Sequence, residues 1–179
     1  MPERSVNAVE IAAGQPASTL RDLYEEFHPP LLGYLRACDF RAYEDLAADT
    51  WLKVASGLPT FEGDRVAFRS WLFTIARCRL MDHRRKVGRR REVVDLDALT
   101  GLRATDDPEA ETVSAISGEV ALRAIGALSA DQADAVLLRI VADLSTEEVA
   151  EIMGKRQGTV RVLQHRALRR LAQVLDRRM

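Results

Sequence analysis

The segment "STEEVAEIMGKRQGTVRVLQHRALRRL", Ser145 to Leu171, leaves the chain few folds to adopt. Ser145 and Glu148 have the spacing of a capping box, in which a hydroxyl and the side chain three residues on satisfy each other's unpaired backbone amides. "SADQ", Ser129 to Gln132, repeats that spacing and marks a second helix start. After Ser145 comes a short helix bearing Val149 and Ile152, then Gly154, then a longer basic helix. That order is the helix-turn-helix arrangement. On the longer helix Val160, Leu163, Ala167, Leu168 and Leu171 suit a core, whereas Gln157, Arg161, Gln164, His165 and Arg166 supply donors. Arg can bond guanine bidentately, Gln can read adenine, and Lys155 and Arg156 at the turn suit phosphates. The plainer alternative is a solvated basic helix in an all-helical domain. His165 has no Cys, Asp or His at ligand spacing, so DNA contact or simple exposure is expected of it rather than metal binding.

Upstream, apolar residues again recur at helical intervals, with no strand alternation. Leu20, Leu23, Tyr24, Phe27, Leu31, Leu32 and Leu35 give a helix from about Thr19 to Ala37, which Pro29 and Pro30 should bend or interrupt. "YEDLAADTWLKVASGL" carries Leu46, Trp51, Leu52 and Val54, with Glu44, Asp45 and Asp49 early, where the helix dipole favours acids. A third helix, "FRSWLFTIARCRLMDHRRK", begins around Phe68. At 100 degrees per residue, Phe68, Trp71, Leu72 and Ile75 share one side, while Arg69, Phe73, Arg77 and Arg84 share another. With Phe61 and Arg65 of the preceding loop, the second side combines charge with an exposed ring, which suits a single strand whose bases need a stacking surface. The alternative is that Phe73 is buried against a neighbouring helix and the arginines are merely solvated.

These patterns predict an all-α chain of two small helical domains joined by a flexible acidic linker, the second domain containing the helix-turn-helix. The boundaries are 1–18 for a flexible leader, 19–87, 88–111 for the linker, and 112–179. A net charge of -1 conceals the segregation: Arg77 to Arg91 is basic, Glu92 to Glu111 mostly acidic, and Lys155 to Arg178 basic again. No apolar run reaches the roughly 20 residues of a membrane span, and "MPERSVNAVE" lacks a signal core, so a cytoplasmic protein without membrane insertion is expected. Cys38 and Cys78 show no C-x-x-C spacing and read as small buried apolar residues.

The stretches "EDLAADTWLKVASGLPTFEGDRVAFRSWLFTIAR" and "LSADQADAVLLRIVADLSTEEVAEIMGKRQGTVRVLQHRALRRL" together resemble bacterial RNA polymerase sigma factors of the extracytoplasmic-function (ECF) type, from about Thr19 to Leu175. The resemblance implies a first domain that binds the clamp of core RNA polymerase and reads and melts the minus-ten element. It implies a second that reads the minus-thirty-five element as duplex DNA, and an anti-sigma factor as a partner. Core-polymerase contacts then fall on Glu44 to Val54, with Glu44, Asp45, Asp49 and Trp51 as candidates. Capture of a flipped minus-ten base falls on the loop Thr60 to Ala67, with Phe61 and Asp64 in motif positions. Arg65, Arg69, Phe73, Arg77, Cys78 and Arg84 complete the minus-ten set. Cys78 stands where many members carry Asn, and a thiol cannot reproduce a carboxamide's paired donor and acceptor. The minus-thirty-five set is Lys155, Arg156, Gln157, Thr159, Arg161, Val162, Gln164, His165 and Arg166.

By the same resemblance the linker threads a basic polymerase channel; the alternative is a solvated tether. No catalytic residue, cofactor, metal or small-molecule substrate is expected. One rival is a stand-alone helix-turn-helix regulator, which leaves the arginine-aromatic helix and the acidic helix unexplained. Another is an enzyme using Asp45, Asp49 and Asp82, but these lack metal-site spacing, and no phosphate-binding Gly-Lys motif is present.

Overall fold

The computed structural model of the chain describes residues 8–9, 18–87, 122 and 124–176. Among these the architecture is all-α apart from one two-residue ladder, in which β1 (Ala8–Val9) pairs antiparallel with β2 (Ser18–Thr19). The rest of the expected leader, and the whole expected linker, lie outside the described residues.

The first helical unit holds α1 (Leu20–Cys38), α2 (Tyr43–Gly57), a 3-10 turn (Leu58–Thr60) and α3 (Arg65–Val87). Of the bend or interruption expected at Pro29 and Pro30, the interruption does not occur: α1 runs unbroken through both. A proline inside a helix costs about 3 kcal/mol, and here the buried row Leu23, Phe27, Leu31, Tyr34 and Leu35 outweighs it by clamping both halves to one core.

Helix α3 starts a turn earlier than its apolar pattern suggests, because Asp64 caps it: the Ala67 amide donates to Asp64 Oδ1 at 2.8 Å, and the Phe68 amide to the Asp64 carbonyl at 2.9 Å. Phe61, Phe68 and Trp71 interlock at the loop, Phe61 stacking on Trp71 with centroids 4.9 Å apart. At Gly57 a Cβ would stand 2.9 Å from the Trp71 ring, so this close approach of α2 and α3 needs glycine.

The second unit holds helical residues 124–126, α4 (Ala130–Ile140), α5 (Thr146–Met153) and α6 (Gln157–Asp176). Both expected capping boxes form, Ser129 with Gln132 and Ser145 with Glu148. Gly154 ends α5 at φ 62, left-handed, and the Lys155 amide closes back on the Ala150 carbonyl at 2.9 Å. Val160 and Ala167 seat α6 on the core, but Leu168, expected inside, is exposed.

Six consecutive residues of α4, Ala133 to Leu138, are buried. A helix covered from one side would alternate buried and exposed positions with a 3.6-residue period. Helix α4 is covered from two sides, by α6 and α5 of its own unit and by α1 of the first unit. Gly33 marks how closely the units meet, since a Cβ there would lie 3.3 Å from Val141.

Candidate functional site

Three surfaces carry the residues singled out in the sequence. The first is the outward face of α2. Glu44, Asp45 and Asp49 are exposed on it, and so is Leu52, 71% accessible, one turn beyond Ala48 and Asp49. Trp51, expected among the contacts, is instead core: it is 8% exposed, and its indole Nε1 donates to His28 Nδ1 at 3.2 Å. Burial pushes the His28 imidazole below its ordinary pKa, which keeps Nδ1 free to accept. Leu52, grouped with Leu46 and Val54 by its apolar type, lies on the outward face instead, seven residues after Asp45 and three after Asp49.

The second surface is the 61–64 loop with α3, whose first turn takes in Arg65 to Ala67, expected in the loop. The expected exposed ring is absent, because Phe73 is fully buried with its edge toward Tyr34, centroids 5.7 Å apart. The arginines are not merely solvated either. Arg65 pairs with Glu26 of α1 at 2.8 Å, and its Nε is buried without a partner. Arg69 lies over the Phe27 ring and donates to both the carbonyl and the carboxylate of Asp143. Arg77 donates through Nε to Asp134 at 3.1 Å and through Nη1 to the Ile152 carbonyl. Arg84 stands 3.6 Å from Asp134 and also donates to the Cys38 carbonyl. Cys78 is exposed, not buried as its residue type suggested.

Asp134 organises the middle of this contact. It is 1% exposed, and it receives Tyr34 Oη at 3.5 Å and Cys38 Sγ at 3.7 Å besides the two guanidinium groups. Burial pushes the Cys38 thiol up to about 12, and the neighbouring Asp134 carboxylate adds to the rise against a smaller opposing pull from Arg84. Burial likewise raises the Tyr34 phenol well above its ordinary range. Sequence reasoning passed over Asp134; its signal was an acid inside the apolar run Ala133 to Leu138.

Ser70 donates to Glu148 Oε1, so the residue that closes the α5 capping box also reaches α3. Burial alone would raise the Glu148 carboxyl, but the hydrogen bonds from Ser70 and Ser145 and the nearby Arg69 together hold it below the usual range.

The third surface is the outer face of α6. Arg156, Gln157, Thr159, Arg161, Val162, His165 and Arg166 are exposed there. Lys155 is drawn aside to Asp131 at 3.0 Å, and Gln164 donates to the Ala135 carbonyl at 3.2 Å, tying α6 to α4. Arg169 and Arg170, not singled out before, continue the exposed cationic run and line an open cleft of about 390 Å³ with Arg166, Gln132 and Gln173. Among the described residues no cluster of His, Cys, Asp and Glu could hold a metal ion. No described helix is long and apolar enough to cross a membrane.

Two family models match the chain along these surfaces: "Sigma-70 region 2" over residues 23–90 and "Sigma-70, region 4" over residues 119–171. The ECF RNA polymerase sigma factor SigD of Mycobacterium tuberculosis is 30% identical over 175 residues, covering 94% of this chain and 82% of that one. The chain belongs to the ECF sigma factor family. BldN of Streptomyces coelicolor, also an ECF sigma factor, is 32% identical over 174 residues, 96% of this chain and 66% of BldN. Among solved structures, the sigma factor RpoE of Bartonella quintana, in complex with the anti-sigma factor NepR, superposes with a TM-score of 0.67 at 27% identity, covering 87% of this chain and 98% of RpoE. The region 2 match of this sigma factor spans α1 to α3, and the region 4 match spans α4 to most of α6.

Proposed function

We propose that this sigma factor docks on core RNA polymerase through Glu44, Asp45, Asp49 and Leu52 of α2, and carries the enzyme to promoters by two separate DNA contacts. The observation that carries the reading is the pairing, in one chain, of region 2 on the first helical unit with region 4 on the second. A stand-alone regulator would need only the second unit.

The recognition helix is α6. Its outer face presents Arg161 and Arg166 for base edges or phosphates of the minus-thirty-five duplex, with Gln157, Thr159, Val162 and His165 between them and Lys155, Arg156 and Gln164 flanking. The segment Thr60 to Ala67, the short loop together with the first turn of α3, receives a minus-ten base that has left the stack. Unstacking a base costs a few kcal/mol, and a pocket open only to the flipped base offsets that cost in the melted state alone. Phe61 offers a ring already braced by Trp71, and Asp64 holds the loop to α3. Arg65, Arg69, Arg77 and Arg84 supply charge for the strand backbone. Cys78, exposed on α3, replaces the Asn of many relatives and alters which base is preferred at that position. Phe73 serves the fold from beneath this face. The protein itself performs no bond-making chemistry. An anti-sigma factor holds it inactive, as the complex of RpoE with NepR suggests.

The test is run-off transcription by purified core polymerase, with and without the protein, on promoter fragments selected from the source genome. Transcripts should depend on the protein. Tight duplex binding by the protein alone, with no initiation when polymerase is added, would overturn the reading.

A further inference from the structure

Val162 lies on α6 about 160 degrees round from Val160 and about 140 degrees from Ala167, the two side chains that seat the helix on the core. It is therefore left 48% exposed, an apolar side chain among donors. On its own row of the helix stand Gly158 and Thr159 one turn before it and His165 and Arg166 one turn after, all exposed. Leu168, the other large apolar residue that the described part of α6 exposes, lies about 9 Å further along, beyond the N-terminal turns that meet base edges in a helix-turn-helix.

Gly158 adds a second observation. Its φ is not positive, and a Cβ placed there would meet nothing within 4 Å, so neither backbone conformation nor packing calls for glycine. Glycine is also a poor helix former. Side chains on a helix lean toward its N-terminus, which sets the Val162 methyls over the bare turn that Gly158 leaves. The outer face thus carries a shallow apolar step, floored by backbone and walled by valine, between the donors of Arg161 and Arg166.

In the major groove the bases present hydrogen-bonding edges, and thymine alone adds a C5-methyl group. A guanine, adenine or cytosine edge pressed against valine loses water and gains no partner. A thymine methyl placed there gains by leaving water.

We infer that Val162 and Gly158 form a seat for the C5-methyl group of one thymine in the minus-thirty-five element, so that Val162 selects by apolar fit where Arg161 and Arg166 supply hydrogen bonds. The inference rests on the assignment of α6 to the minus-thirty-five duplex made above. Taking one methyl out of that seat should cost about fourfold in affinity, the worth of one buried methylene.

Deoxyuridine, which differs from thymidine by that methyl alone, provides the test. Holoenzyme assembled from core polymerase and the full-length chain is titrated against a fluorescent promoter fragment that it transcribes. Each thymidine of the minus-thirty-five element, on either strand, is replaced in turn by deoxyuridine, and anisotropy reads the affinity. With the native chain, replacement at one position should weaken binding about fourfold. Val162→Ser should bind that fragment and its thymidine parent equally. Gly158→Ala should weaken binding to the thymidine fragment while the melting temperature of the free chain holds or rises, because the new Cβ is unopposed within the protein and alanine favours helix. Far-ultraviolet circular dichroism checks that both variants keep their helix content.

No position sensitive to the methyl, the same sensitivity in Val162→Ser, or a Gly158→Ala chain that binds as the native one does would each overturn the inference. The assignment of α6 to the duplex fails on a different result: a chain carrying both Arg161→Ala and Arg166→Ala that binds the thymidine fragment as tightly as the native one.

Discussion

The carboxylate of Asp134, on α4, accepts a hydrogen bond at 3.1 Å from Nε of Arg77, on α3, a residue 57 positions earlier in the chain. Cys38, on α1, leans on the same carboxylate, and its thiol is raised to about 12. Thiolate is the reactive form. At neutral pH a disulfide reagent should therefore modify exposed Cys78 quickly and Cys38 slowly. In a Cys78→Ser background, Asp134→Asn should speed the labelling of Cys38 at least several-fold, measured by absorbance of the released thiol; equal rates would show that Asp134 does not shield it.

The pair formed by Trp51 and His28 predicts a pH-dependent signal. Because the folded imidazole is lowered below its usual value of about 6.5, the neutral form is favoured by folding. Its stabilisation is complete above that usual value and is lost as pH falls through the lower folded value. Protonation also removes the acceptor for the Trp51 indole. In a Trp71→Phe background, Trp51 fluorescence should change in a titration centred below pH 6.5, and His28→Gln should abolish the change.

Neighbours Trp51 and Leu52 should behave oppositely when truncated. Trp51→Ala is expected to cost about 3–5 kcal/mol of stability in urea unfolding, as for large aromatic core residues. Leu52→Ala should leave stability within about 0.5 kcal/mol and instead weaken binding to core polymerase in a direct competition with the native chain.

At the start of α5 the Ser145 hydroxyl accepts from the Glu148 amide at 3.2 Å, and Glu148 Oε2 accepts from the Ser145 amide at 2.7 Å. Ser145→Ala should cost about 1 kcal/mol. The Glu148 carboxyl is lowered by folding, so its contribution is present above the ordinary carboxylate value of about 4.3 and is lost as pH falls through the lower folded value. Glu148→Gln should flatten the acid limb of the melting-temperature profile.

On the outer face of α6, Arg161→Ala should weaken minus-thirty-five duplex binding by about 1–3 kcal/mol if the contact is bidentate to a base, relaxing choice at one position. A uniform loss across sequences, with a shallower salt dependence, would mark a phosphate contact instead.

What was legible in the sequence was mostly local. The two capping boxes and the turn at Gly154 are set by residues within a turn of one another, and each forms where the pattern places it. The departures arise where a distant segment decides. Trp51 and Leu52 are adjacent, and only the position of α1 with His28 determines which turns inward. Phe73 shares a helical side with arginines, yet Tyr34 of α1 draws it into the core. The prolines of α1 read locally as a bend or a break, and burial along its apolar face carries the helix through them unbroken. Asp134 was conspicuous as an acid among apolar residues, but nothing near it in sequence names its partners on α1 and α3.

The six buried positions of α4 also bear on how such a chain can diverge. With no side chain from Ala133 to Leu138 turned to water, that stretch of the helix has little room for neutral drift, while Ile140 at its end is exposed and free to vary. Descendants that keep both neighbours of α4 should hold residues 133–138 nearly fixed. In a lineage that has given up the closed arrangement, polar residues should return along one side of the helix, with Asp134 among the first positions released.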